Sequence, residues 1–406
     1  MSAARAEARS GGMPSLPIVK VRHPMATAGN DVVSAQVREA LPQIIAALTE
    51  PVQGAAAVRS QDDRPGETRL TGTIDEISEA FYRRGWTDGL PIVAPTEDRI
   101  AAQLLRASRD PDTSVGVMPP AMKPVTLRKI AVNTVMAGCL PSYFPVVEAA
   151  TMALMDEDCG LYSMLTATNA LAPLTIVNGP IIGELDLNSR GNVFGPGWRS
   201  NATIGRAIRL ILLNLGGAAP GVLDMSTHGH PGKFTLCVAE AEDASPWEPL
   251  HVERGFERTA STVTVVGAGA PQNIFPYGCR TGTEILDVIA GTATGLGHNN
   301  VLFATGPVLV LGPEHAATLN RDGFTKQAVK AYLFEKARVP LRRFPHGLRR
   351  AIRERRARWF AEVGDATHIG VADRPEDILI VVAGGPGIHS QCLPTAFTRR
   401  PVTRRI

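Results

Sequence analysis

The segment "NIFPYGCRTGTEIL" (residues 273 to 286) sets Cys279 between a glycine and Arg280. Two residues further on, Thr281 and Glu284 have the T-x-x-E spacing of a capping box, so a helix is expected to start there. A thiol near a helix N-terminus and beside a guanidinium is favoured as the thiolate, which acts as nucleophile or redox group. A small apolar plug is the competing reading of the same cysteine, and both stay open. Cys139, in "VMAGCLPSYFPVVEAATMAL", has a comparable setting after Ala-Gly, with Ser142 as the expected N-cap and Pro145 in the first turn. Cys159 and Cys237 read as structural and Cys392 as undecided. Five cysteines with no CxxC spacing fit thiols rather than a disulfide framework.

Histidine offers a second chemistry. His228 and His230 in "STHGHPGKF", His298 in "GLGHNN", His315 beside Glu314 in "GPEHA", and His389 in "GPGIHS" all fall in glycine-rich segments that read as loops. Three converging imidazoles would hold a divalent cation such as zinc or iron, although no HExxH motif is present. Asp88, in "RRGWTDGLPIVAPT", reads as a turn cap or, facing a cleft, as a general acid or base. The loop "LNSRGNVFGPGWRSNATIGRA" (187 to 207) supplies Asn188 and Asn201 as amides and Arg190 and Arg199 as forks for a carboxylate or phosphate. It leads into a helix start that would favour an anion. Neither this loop nor "VGAGAPQN" matches a phosphate-binding or dinucleotide fingerprint, so no nucleotide cofactor is expected and the cofactor is left open: none, or a divalent metal.

The elements that must position these groups read as an α/β protein. Helices are expected over 74–84, 97–107, 125–137, 144–156, 202–214, 283–291, 325–338 and 347–362. Strands are expected at 174–178, 233–240, 261–267, 307–312 and 377–385. The strand runs are short and continuously apolar, as in strands covered on both faces, so the expectation is layered, mostly parallel sheets with helices on both faces. "PLTIVNGPI" and "GPVLVLGPEH", each followed by a helix, repeat a strand, a Gly-Pro break and a helix. That echo suggests two similar α/β units around a cleft. Residues 1–72 read as a short N-terminal module with a strand at "LPIVKV", an amphipathic helix after it and a linker from 51. Residues 73–406 read as the main domain, with lobes of about 73–255 and 256–406.

Among 406 residues, 44% hydrophobic, Lys+Arg of 42 against Asp+Glu of 39 give a net charge of +3, too balanced to imply a nucleic-acid partner. No apolar run is long enough for a membrane span and the start lacks a signal-peptide core, which together predict a cytoplasmic protein. Arginine concentrates in "LRRFPHGLRRAIRERRAR" and "TRRPVTRRI", read as a solvated helix face or as a surface for an anionic ligand or a partner.

The segments "RRGWTDGLPIVAPT", "VMAGCLPSYFPVV", "NATIGRAIRL", "GKFTLCVAE", "SPWEPLHVERGF" and "VVAGGPGIHS" resemble the UGSC family of selenoproteins and their cysteine counterparts. The N-terminal "LPIVKVRHPMATAGNDVVSAQVREALPQIIAAL" looks like the tail of the redox domain that names the family. Its Sec/Cys-Gly-Ser-Cys motif is absent, since no cysteine precedes Cys139. The resemblance implies a leaning towards thiol chemistry without assigning it.

Three functions are therefore expected as alternatives. One is a thiol-dependent enzyme, an oxidoreductase or lyase, acting on a small anionic substrate through Cys279 or Cys139 with Arg280. Another is a metal-dependent hydrolase or lyase on the loop histidines. A third is a non-catalytic binding or partner subunit. The partners expected are a small-molecule substrate and either a second copy of the chain or a redox partner protein.

Overall fold

The computed structural model describes residues 28–50 and 70–406 except 365, and near the N-terminus residues 4, 5, 8, 13, 15–22 and 25. The expected linker from 51 and most of the first sixteen residues lie outside the described set. "LPIVKV" forms no strand, whereas the helix after it does form, as α1 (Asn30–Thr49). No helix among the described residues is long and apolar enough to cross a membrane.

The main body runs α2 (Ile74–Arg83), α3 (Glu97–Leu104), a hairpin of β1 (Ser114–Met118) and β2 (Lys123–Thr126), then α4 (Leu127–Ala137), α5 (Phe144–Leu154), β3 (Ala172–Asn178), α6 (Arg199–Asn214), β4 (Cys237–Ala239), β5 (Thr262–Ala268) and β6 (Gln272–Ile274). It continues with α7 (Gly282–Ala293), β7 (Val308–Leu311), α8 (Pro313–Arg321), α9 (Lys326–Lys336), β8 (Arg338–Pro340), α10 (His346–Arg355), β9 (His368–Gly370), β10 (Leu379–Val382), β11 (Ser390–Leu393) and β12 (Val402–Arg405). Shorter helical turns join them.

Two four-stranded sheets organise the core, in the orders β12-β5-β3-β4 and β10-β7-β11-β6. Side chains alternate across each strand, so the inner strands feed two cores. Leu174 and Ile176 of β3, Val238 of β4, Val308 and Val310 of β7, and Leu379 and Val381 of β10 meet between the sheets. Val177, Val263 and Val265 turn the other way, onto α4, α5 and α6. Leu309, Leu311, Ile380 and Val382 likewise turn onto α7, α8, α9 and α10. The α/β protein is thus a four-layer sandwich of helices, sheet, sheet and helices. The apolar strand runs arise because each strand is covered by helices on one side and by the other sheet on the second, not by helices on both.

The expectation of mostly parallel sheets is corrected. Only β3–β4 and β7–β10 pair in parallel, and the remaining neighbours are antiparallel. The two sheets repeat one another strand for strand: β4, β3, β5 and β12 have the same order and directions as β10, β7, β11 and β6. The Gly-Pro echo falls at equivalent points, Gly179-Pro180 after β3 and Gly312-Pro313 after β7. Each unit also gives its last strand to the other's sheet: β6 leaves β5 through residues 269–271 and pairs with β11, and β12 leaves β11 through 394–401 and pairs with β5. This exchange closes the two units into one body.

Candidate active site

Parallel strand pairs leave a crevice beyond their carboxyl ends, where ligands of open α/β sheets tend to bind. Here the β7–β10 pair opens onto a cleft of about 360 Å³. Its walls are the 191–195 loop, Gly312, and the segment from Ala383 to Gln391. The two loops touch through backbone. Arg190 pairs with Gly384 in a parallel bridge, and a Cβ on Gly385 would lie 2.9 Å from Gly191 Cα. At Gly312 an added Cβ would come within 2.3 Å of the His389 carbonyl oxygen, so only glycine lets α8 start this close to β11.

At the floor of this cleft Ser390 Oγ lies 2.7 Å from His315 Nδ1. Both are buried, at 3% and 2% exposure. The Gly312 N–H donates to Ser390 Oγ at 3.0 Å, and the hydroxyl hydrogen is free to point at the imidazole when the ring proton is on Nε2. Burial is the main cause that holds the His315 pKa below its ordinary value, and His389 lowers it further against the opposing pull of Glu314. Both effects favour the neutral imidazole, and in the tautomer protonated on Nε2 the Nδ1 lone pair faces Ser390 Oγ and can accept its proton. Glu314 accepts the Gly387 N–H at 2.7 Å and so ties α8 to the glycine loop. On the rim, His389 stacks on Phe275 with ring centroids 4.5 Å apart and meets Asn273 Oδ1 at 3.1 Å.

The expected anion-binding groups are distributed differently. Asn201 Oδ1 accepts the Asn188 N–H at 2.8 Å, and its amide nitrogen donates to the carbonyls of Asn188 and Cys237. Both asparagines are buried, and they stitch the 188–192 loop to α6 and β4 rather than face solvent. Arg190 pairs with Asp243, and Arg199 is exposed on the first turn of α6. Asp88 is held by the Arg206 fork at 2.8 and 2.9 Å and also accepts the Leu90 N–H, so it caps its turn and clamps it to α6.

Of the cysteines, four are buried and Cys279 is half-buried. The capping box at Thr281 and Glu284 forms on α7, and the Arg280 N–H also donates to Glu284. Cys139 is placed otherwise than its spacing suggests. It follows the left-handed Gly138 that ends α4, its N–H donates to Thr134 O, and the next helix begins only after the 141–143 turn. It thus lies at the negative end of a helix, and burial pushes its thiol up to about 12. Cys159, Cys237 and Cys392 are also pushed up to about 12, chiefly by burial.

His228, His230, His298 and His315 do not assemble into a metal centre. Among the described residues no group of three or more His, Cys, Asp or Glu side chains is placed to hold an ion. His230 accepts the Gly232 N–H, and His298 meets Gln272 Oε1 at 3.1 Å.

Ser390 is the functional candidate that sequence reasoning missed. The segment "GPGIHS" drew attention to His389 alone, and the partner of Ser390 lies 75 residues away. A glycine-rich turn that ends at His389 and enters a strand at Ser390 is the local signal.

No curated protein and no solved structure matches the chain. Residues 1–50 match the family model described as the UGSC family.

Proposed function

We propose that this chain is an enzyme acting on a small polar substrate in the glycine-lined cleft, with Ser390 as nucleophile and His315 as its base. The observation that carries the reading is the 2.7 Å contact between Ser390 Oγ and the Nδ1 of a buried His315. As Oγ bonds to an electrophilic carbon of the substrate, its proton passes to Nδ1; the imidazolium then returns that proton to the leaving group as the second bond breaks. Backbone and amide groups along the walls, including Gln391 and Asn192, suit a polar substrate of modest size. Treatment of the folded protein with a fluorophosphonate reagent, followed by peptide mass spectrometry, tests this. An adduct on Ser390 that is lost in His315→Gln supports the reading; an unmodified Ser390 under conditions that label a reference serine hydrolase sinks it.

Thiol chemistry at Cys279 is a second reading, supported by its being the one cysteine of five that is not buried. Alkylation of the folded protein across pH separates the two. Reaction of Cys279 well below the ordinary thiol pKa of about 8.5 favours the thiol, and resistance until unfolding excludes it.

A further inference from the structure

The β3–β4 pair has its own carboxyl-end crevice, equivalent to the glycine cleft, and charged side chains fill it. Asn178 Nδ2 donates to Glu240 at 2.6 Å and to Glu242 at 2.9 Å, Lys326 Nζ lies 3.2 Å from Glu253, and Lys330 pairs with the other oxygen of Glu253. In the glycine cleft the reverse holds. None of the residues that line its volume of about 360 Å³ is Asp, Glu, Lys or Arg. Of the charged groups beside it, Arg190 is paired with Asp243 and Glu314 accepts the Gly387 N–H. Its wall takes in part of the core between the sheets: Val193, Val310 and Ala383 are buried members of that core, and Phe194 packs against it.

Taking the glycine cleft as the substrate site, as proposed above, we infer that the substrate is an uncharged molecule that carries a carboxamide on a hydrocarbon or aromatic body. A carboxylate or phosphate entering the cleft would give up water and meet no lysine or arginine along the wall, and an ammonium would meet no carboxylate there. Either ion is therefore held at a desolvation cost that a neutral molecule avoids. Gln391 supplies the recognition. It stands opposite Val310 in the antiparallel β11–β7 pair, so its side chain lies on the same face as that of Val310, the face turned to the other sheet, and its amide sits beside the apolar wall. Gln391 Nε2 reaches Asn273 Oδ1 only at 3.5 Å, the outer limit of a hydrogen bond, and Oε1 has no partner among the described residues. A carboxamide has an N–H to give and a carbonyl oxygen to receive, and so matches both ends of that side chain. Volume sets the body. An apolar cavity of about 150 Å³ is enough to hold benzene. The 360 Å³ here leaves room for one ring and a short substituent.

The test is isothermal titration calorimetry of the full chain with benzamide, benzoate and benzylammonium, at about pH 8, where a histidine of ordinary pKa is neutral. One benzamide per chain should bind saturably, and more tightly than either ion by about tenfold or more. Gln391→Glu, which is close to isosteric, should shift the preference towards benzylammonium by about tenfold or more, because it places a carboxylate in the wall. Asn192→Asp should shift it in the same direction. Asn192 is exposed and has a left-handed φ of 62°, which aspartate also tolerates, so this variant keeps the test alive if Gln391→Glu does not fold. The substrate class is overturned if benzamide does not saturate, if either ion binds as tightly as benzamide, or if the folded variants keep the preference of the unsubstituted chain. In Ser390→Ala benzamide should bind as before, so the binding result is scored apart from the fluorophosphonate result: an unlabelled Ser390 sinks the nucleophile, and absent benzamide binding sinks the substrate class.

Discussion

The two carboxyl-end crevices of this protein occupy equivalent positions in equivalent sheets, yet one is kept open by backbone and the other is plugged with charge. At β7–β10 the chain uses glycines, so that loops meet through Cα atoms and leave room over Ser390 and His315. At β3–β4 it uses Asn178, Glu240, Lys326 and Glu253, whose side chains fill the equivalent space. Repeating a fold unit therefore repeats the location of a crevice, while side-chain volume and charge decide whether chemistry can occur there.

The largest effect should come from the plugged side. Glu253→Ala leaves Lys326 and Lys330 buried without their shared carboxylate, and removing one partner of a buried ion pair costs about 3 kcal/mol or more. Chemical denaturation should show this as a drop in midpoint at unchanged slope. If the loss stays below about 1 kcal/mol, the range of exposed pairs, the lysines are better hydrated than their burial implies and the contrast between the crevices weakens.

The matching perturbation on the open side is Gly312→Ala. Its Cβ would collide with the His389 carbonyl, and relieving the clash by backbone movement should cost about 1–3 kcal/mol. The same shift should separate Ser390 from His315, so fluorophosphonate labelling of Ser390 should fall even where the protein stays folded. Labelling at the unsubstituted rate would mean that the close approach of α8 and β11 does not position the pair.

The crevices should also answer pH with opposite signs. Burial lowers the His315 pKa below its ordinary 6.5, so the folded protein binds fewer protons than the unfolded chain and loses stability as pH falls below 6.5. Burial raises the Glu240 carboxyl above its ordinary 4.5, so the folded protein binds more protons there, and that contribution grows as pH falls. Between pH 6.5 and 4.5, His315→Gln should make the acid loss of stability shallower and Glu240→Gln should make it steeper. Urea midpoints at both pH values check this, and equal slopes in the two variants would break the comparison.

How much of this was legible in the sequence follows from the range of the signals. Most helices matched their 3.6-residue patterns within a few residues, because caps and periodicity are local. The five apolar strands were legible for the same reason, and the Gly-Pro echo marked the repeat. The exchanged strands and β11 were not: β6 reads "QNI", β11 "SQCL" and β12 "VTRR", too short and polar to announce themselves. Missing β11 and β12 hid the antiparallel neighbour of β7 and one of the two of β5, while the antiparallel β3–β5 pair joins two legible strands whose mutual direction the sequence does not show. The candidate site failed on distance: Ser390 and His315 meet only because β11 lies against β7, whose end starts α8. Cys139 misled because a glycine before a cysteine can end one helix as readily as it precedes another.

The smallest expected effect tests a local signal that the structure bears out. In the capping box of α7, Thr281 Oγ1 accepts the Glu284 N–H at 3.3 Å, and Glu284 accepts the Thr281 N–H at 3.0 Å. Thr281→Ala removes the first bond and keeps the second, so a loss of about 1 kcal/mol is expected. Because α7 packs on the same core as β7 and β10, most of its stability comes from buried Ile285, Leu286 and Ile289, and the cap should matter chiefly for how tightly the first turn is held. That turn lies next to Cys279, so the alkylation rate of Cys279 in Thr281→Ala is the sensitive readout. A faster reaction at nearly unchanged denaturation midpoint would mean that the cap restrains the thiol. An unchanged rate would separate Cys279 from the helix end and leave the Ser390–His315 cleft, among the described residues, as the arrangement with a chemical reading.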